Sequence, residues 1–126
     1  MKKLVIDRSK WLRGGSQSRL LNESGSMCCL GFYCAAAGVP TVDMLNVPIP
    51  LDLPKSERVK VEELFETRSE IKRSTDACFN AIQINDCING FGTTIYSNGT
   101  VSSVLINSSE ERENLLKKEF LKFGYV

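Results

Sequence analysis

Apolar residues run along the chain in short bursts of different period, and each period predicts its own element. Leu4, Val5 and Ile6 read as a short strand, which Trp11 and Leu12 prolong as an extended segment until Arg13-Gly14-Gly15-Ser16 breaks it. After the turn cluster Asn22-Glu23-Ser24-Gly25, residues Leu30, Phe32, Tyr33, Cys34, Ala36 and Ala37 put apolar groups on most sides of a helix over about 27–38. Such a helix belongs in a core, with Gly38 as its C-terminal cap and Pro40 as its stop. Four prolines from Pro40 to Pro54 predict a long loop in which Val47-Pro48-Ile49-Pro50-Leu51 is extended and partly exposed. Ser56 then caps a helix in which Val59, Leu64 and Ile71 recur among charges at helical spacing. A shorter helix starts near Ser74 or Thr75 and runs toward Ile84, where Asn85-Asp86 ends it in a turn.

The clearest local pattern is Phe91 to Ile106, where Asn98-Gly99 suits a two-residue type I′ turn between alternating strands. That turn sets Tyr96 opposite Val101 and Thr93 opposite Val104, and gathers residues 91, 93, 95, 102, 104 and 106 on one face. Ser108 followed by Glu111 is a capping box, and Leu115, Leu116, Glu119, Phe120 and Phe123 mark a helix over about 109–123 closed by Gly124. The pattern as a whole predicts an α+β fold over residues 1–126. A single compact domain carries an antiparallel sheet that includes the 91–106 hairpin, packed against the buried helix and the C-terminal amphipathic helix.

Composition narrows the function more than it changes the fold. A net charge of +1 gives no global attraction to polyanions, so no long nucleic acid is expected as a partner. Lys2, Lys3, Arg8, Lys10, Arg13 and Arg19 still concentrate positive charge near the start, as a solvated rim or a local anion site. No run approaches the roughly 20 apolar residues of a membrane-spanning helix, so no membrane partner is expected. The apolar run after Lys3 ends at Asp7, too soon for an export signal. Five cysteines, two of them adjacent, suit reduced thiols, and the expected location is cytoplasmic.

Three of those cysteines lie between Met27 and Val39, the most apolar stretch, and the chain has no histidine. Cys-His and Ser-His nucleophile pairs and His-containing zinc sites are therefore closed. Cys28, Cys29, Cys34, Cys78 and Cys87 suffice in number for a four-thiolate site, but adjacent helical residues point about 100° apart and no second close pair exists. Metal and cofactors are accordingly not expected. Cys28 and Cys29 sit where a helix N-terminus favours thiolate, while their apolar surroundings oppose it, and packing is the default.

The sharper candidate is Arg13-Gly14-Gly15-Ser16, which offers a guanidinium, successive backbone N–H groups and a hydroxyl to a phosphate. Trp11 or Tyr33 would stack a base and Arg19 would add a second charge. Asp86 beside Asn85 in a turn suits a ribose hydroxyl or a metal, with a helix-ending Asx turn the commoner explanation. A plain turn beside a core tryptophan accounts for the first group equally well.

Val5-Ile-Asp-Arg-Ser-Lys-Trp-Leu-Arg-Gly, Ser18-Arg-Leu-Leu-Asn and Gly25-Ser-Met-Cys-Cys-Leu-Gly-Phe together resemble a family of small, mostly uncharacterised bacteriophage and prophage proteins. The likeness resumes at Ile84-Asn85-Asp86 and from Ser109 to Phe120, whereas the 91–106 hairpin departs from the family pattern. The resemblance implies a counter-defence protein in the host cell cytosol that inhibits antiviral immunity by stoichiometric binding. It would sequester a nucleotide-derived signal molecule or cover a host immune protein, with Trp11, Arg13, Gly14, Gly15, Ser16, Arg19, Tyr33, Asn85 and Asp86 as the ligand-binding set. A binder this small commonly builds its pocket across a homodimer. Two alternatives stay open: a small cysteine- or carboxylate-dependent enzyme, and a protein-binding module that uses the 40–54 loop with Leu45, Val47 and Ile49.

Overall fold

Helix dominates the residues that the computed structural model describes, which are 2–14, 18–64, 77–86, 90–95, 101–106 and 108–126. The helices are α1 (Cys29–Ala36), α2 (Thr41–Met44), α3 (Lys55–Arg58), α4 (Ala77–Asp86) and α5 (Ser109–Leu121), with 3-10 turns at Arg8–Lys10, Pro50–Asp52 and Val59–Leu64. The expected loop from Pro40 to Pro54 is thus wound into short turns. Pro40 and Pro54 each precede a helix in extended backbone, where a missing N–H costs nothing.

The α+β expectation is corrected. Among the described residues no antiparallel sheet forms a layer under the helices. The paired strands there are β1 (Gly90–Ile95) and β2 (Val101–Ile106), a two-stranded ribbon that cannot by itself form a covered core layer. Its register also differs from expectation. Thr93 opposes Ser103 and Ile95 opposes Val101, a slip of one residue that exchanges the two faces of one strand relative to the other. The Asn98-Gly99 turn lies outside the described residues.

Leu4-Val5-Ile6 is likewise no strand. The segment is extended, with Leu4 and Ile6 buried and Val5 exposed, but its backbone finds partners only at isolated points. Lys2 bridges Tyr125, Trp11 bridges Met27, and Leu21 bridges Leu45, all in parallel. Alternating burial therefore comes from side chains packing into a helical core, which a period of two cannot distinguish from a sheet.

The ends of α1 and α5 are as the residues predict, whereas Ser56, expected as an N-cap, lies inside α3, whose N-cap position is Pro54. Gly38 adopts φ +95°, its N–H donates to Ala35 O at 3.1 Å, and the Val39 N–H donates to Cys34 O at 3.0 Å. This is the Schellman pattern, which satisfies carbonyls that α1 leaves open. Ser108 Oγ accepts from the Glu111 N–H at 3.2 Å to start α5, and Gly124 at φ +82° turns the chain away after it.

The core is assembled around α1. Cys29, Tyr33 and Cys34 are fully buried and Leu30 nearly so, together with Leu20, Met44, Leu64, Ala81, Ile84, Leu116 and Phe120. Each buried Leu or Ile contributes roughly 1.5–3 kcal/mol relative to an exposed one. One glycine sets how closely this core can close. A Cβ at Gly31 would lie 1.9 Å from Leu20 O and 2.9 Å from Met27 Cβ, so the 18–21 segment presses directly on the α1 backbone. Among the described residues no helix is long and apolar enough to cross a membrane.

Candidate functional site

Asn85, in the last turn of α4 and 1% exposed, is the point at which five separate stretches of chain meet. Its Oδ1 accepts from Trp11 Nε1 at 2.8 Å and from the Cys29 N–H at 2.9 Å. The second bond satisfies one of the open donors at the start of α1, whose own N-cap residue, Cys28, makes no side-chain cap. Nδ2 donates to Leu12 O and Asp86 Oδ1, both at 2.9 Å, and at 3.3 Å to Ser18 Oγ. The Asn85 carbonyl accepts from the Gly14 N–H at 2.8 Å and from Arg112 Nη1 at 3.0 Å. Arg112, buried, also donates to Ile84 O at 2.6 Å, so a cation closes the C-terminal end of α4 where carbonyls would otherwise be left open.

This junction forms one wall of a cleft of about 200 Å³. Ser18 and Arg19 come from the segment held against Gly31, Cys28 to Leu30 from the first turn of α1, Pro48 and Ile49 from the stretch after α2, and Ile82, Asn85 and Asp86 from α4. Ser18 Oγ donates to Asp86 Oδ1 at 2.6 Å, which orients that carboxylate at the rim. Arg19 is half-buried, and its Nη1 donates to the neighbouring Ser18 carbonyl at 3.1 Å. Among the described residues Arg19 forms no ion pair, although Asp86 lines the same cleft. A basic and an acidic residue therefore line one small space without forming an ion pair with each other.

The expected ligand set divides in four. Arg19, Asn85 and Asp86 do converge on this cleft. Asn85 and Asp86 stand inside α4 and not in a turn beyond it, so the predicted Asx turn is corrected. Trp11, Arg13 and Gly14 lie beside the cleft but serve the protein. The Trp11 ring is buried with its N–H bonded to Asn85 and the Arg13 guanidinium 4.8 Å from its centre, which leaves no face for a base. Arg13 Nε donates to Ser109 Oγ at 2.9 Å and Nη1 to the carbonyls of Arg8 and Trp11, pinning the N-terminal segment to the start of α5. The Gly14 amide, expected to meet phosphate, is spent on Asn85. Gly15 and Ser16 lie outside the described residues.

Tyr33 stands apart. It is fully buried one turn further along α1, with the rings of Phe120 and Tyr125 at 4.8 and 4.3 Å, and its hydroxyl donates to Glu63. Burial and the Glu63 carboxylate raise its phenol well above the ordinary range. Both aromatics expected to stack a base are buried, with their polar atoms bonded to protein partners.

The cysteines pack as small buried groups. Cys28, Cys29, Cys34 and Cys78 are free and buried, while Cys87 lies outside the described residues. Burial pushes the Cys28 thiol up to about 11 and the Cys78 thiol up to about 12, and raises Cys29 and Cys34 as well. The helix N-terminus does not offset this, so at neutral pH Cys28 is a thiol in the cleft wall and a poor nucleophile. Among the described residues no group of three His, Cys, Asp or Glu side chains is placed to hold a metal ion.

Three residues escaped the reading of the sequence. Ser18 carried no signal beyond its type. Gly31, within an apolar helical run, signalled a close backbone approach. Arg112 falls four and eight residues before Leu116 and Phe120 on the buried stripe of α5, an inward position for a charge that needs partners. Compared with protein-family models, with curated proteins and with solved structures, the chain matches none.

Proposed function

We propose that this chain acts by stoichiometric binding, and that the cleft beneath Asn85 captures a small molecule. The observation that carries the reading is Arg19, a half-buried cation that lines the cleft and has no ion-pair partner among the described residues. A guanidinium held in place against a partly apolar wall offers charge-assisted hydrogen bonds to a ligand at little cost in reordering. The polar groups around it are already fixed by one another, so the site is preformed. Asn85, Ser18 and Asp86 are locked by their mutual hydrogen bonds. Against catalysis by cysteine stands the raised Cys28 thiol, for which the chain offers no histidine as a base.

In the setting that the resemblance implies, a phage protein in the host cytosol, capture of this kind would withdraw a signal on which antiviral immunity depends. The segments that carry the resemblance are those that meet at Asn85: Trp11 to Gly14, Ser18, Cys29, Asn85-Asp86 and Arg112. A whole nucleotide would not be enclosed. The cleft is smaller than the roughly 300–1,000 Å³ usual for pockets that bury drug-sized ligands.

The test is recovery. Protein purified from a lysate and then heated should release a small molecule with the same mass and structure as the molecule in the untreated extract. Release of a chemically altered product would replace capture with catalysis.

A further inference from the structure

The cleft is lined by a basic residue, an acidic residue and several apolar ones, and this combination is more selective than a cation alone. Arg19 supplies guanidinium donors, and Asp86 supplies a carboxylate whose Oδ1 is held by Ser18 and Asn85. Leu30, Pro48, Ile49 and Ile82 supply the apolar lining. A phosphate fits this poorly, because the carboxylate repels a dianion and the apolar groups give its oxygens nothing to bond. A purely apolar ligand fits poorly too, because it would strip water from both charges without replacing it.

We infer that the ligand is a zwitterion, a free α-amino acid with an aliphatic side chain, whose carboxylate meets Arg19 and whose ammonium meets Asp86. Each ligand charge then replaces the water on a protein charge of opposite sign, and the cleft and its ligand are both close to neutral. The side chain lies against Leu30, Pro48, Ile49 and Ile82, and the volume of about 200 Å³ suits an amino acid better than a nucleotide. Cys28 adds a buried thiol to the wall, and because it stays protonated it does not disturb the charge balance. The inference rests on the capture reading but goes further, since it names the chemical class that is held.

The experiment is a calorimetric titration of the full chain with L-leucine, and with N-acetyl-L-leucine and L-leucinamide, which lack the ammonium and the carboxylate respectively. Saturable binding of L-leucine is expected, with each analogue at least tenfold weaker. Arg19→Gln should then bind L-leucine and L-leucinamide alike, and Asp86→Asn should bind L-leucine and N-acetyl-L-leucine alike, each variant losing the discrimination that its own charge provides. Both substitutions preserve shape, and unchanged melting temperatures show that the fold is intact. Equal affinities for the three compounds overturn the inference, as does no detectable binding of L-leucine. Tighter binding of inorganic phosphate or AMP, weakened by Arg19→Gln, overturns the zwitterion while leaving capture in place. A lysate-purified protein that carries no small molecule at all removes capture itself.

Discussion

Asn85 shows how much one side chain can organise. With both Oδ1 bonds made, the Trp11 indole N–H and the Cys29 amide are buried and satisfied, and removing the amide strands both donors. A buried donor left without a partner costs about 1–3 kcal/mol, so Asn85→Ala should lower stability by about 2–6 kcal/mol, read as a fall in the urea midpoint at unchanged slope. A loss below about 1 kcal/mol would mean that water replaces the amide and that the junction is not the keystone described. Arg13→Ala is expected to behave in the same direction and more weakly, by about 1 kcal/mol, with ligand retention unaffected, because its guanidinium ties the chain to Ser109 and not to the cleft. The residue types at 11, 13, 19, 85 and 86 did point to this region. What they could not disclose was direction: an Arg, a Trp and a Gly amide able to hold a ligand are equally able to hold a carbonyl, and only the three-dimensional partners decide.

Among the elements, α1 is the one on which the others depend, and its two glycines make different demands. Gly31 has no room for a side chain, because its Cβ position is 1.9 Å from a backbone oxygen of Leu20 that cannot swing away like a flexible side chain. Gly31→Ala should push the 18–21 segment off the helix, costing about 1–3 kcal/mol as other overpacked sites do, and should weaken ligand retention by displacing Ser18 and Arg19. Gly38 has open space but a left-handed φ, so Gly38→Ala should cost about 1–2 kcal/mol and leave retention alone. Thermal unfolding alongside a retention assay separates the two. The caps of α1 and α5 were legible because capping depends on a few neighbouring residues, whereas the sheet was not, because pairing depends on partners far away in sequence. Buried Leu4 and Ile6 around an exposed Val5 satisfy the period of a strand while packing into helices. The ribbon's register, slipped by one, carries the same lesson at finer grain.

On the scale of the whole molecule, a core that contains protonated thiols has a definite response to alkali. An ordinary cysteine titrates near 9.0 when unfolded, while burial holds Cys28 up to about 11 and Cys78 up to about 12 in the folded protein. The folded state therefore binds these protons more tightly. Their stabilising contribution is complete below about pH 9 and is lost as pH rises through that value toward 11 or 12. Urea midpoints should be level from about pH 7 to pH 8.5 and fall beyond it, and Cys28→Ala should make the fall shallower. A midpoint that is constant into strong alkali would show the thiols to be accessible. The same core accounts for the form of the cleft. The segments that converge on Asn85 leave a small gap lined by both Arg19 and Asp86, which form no ion pair with each other.

Capture of an intact small molecule through Arg19 can be read by native mass spectrometry of the chain and its Arg19→Gln variant, each isolated from the same lysate. One small molecule should be retained per wild-type chain, released unchanged on heating, and absent from a variant that melts at the same temperature. Equal retention by both chains, or none by either, would contradict capture through Arg19.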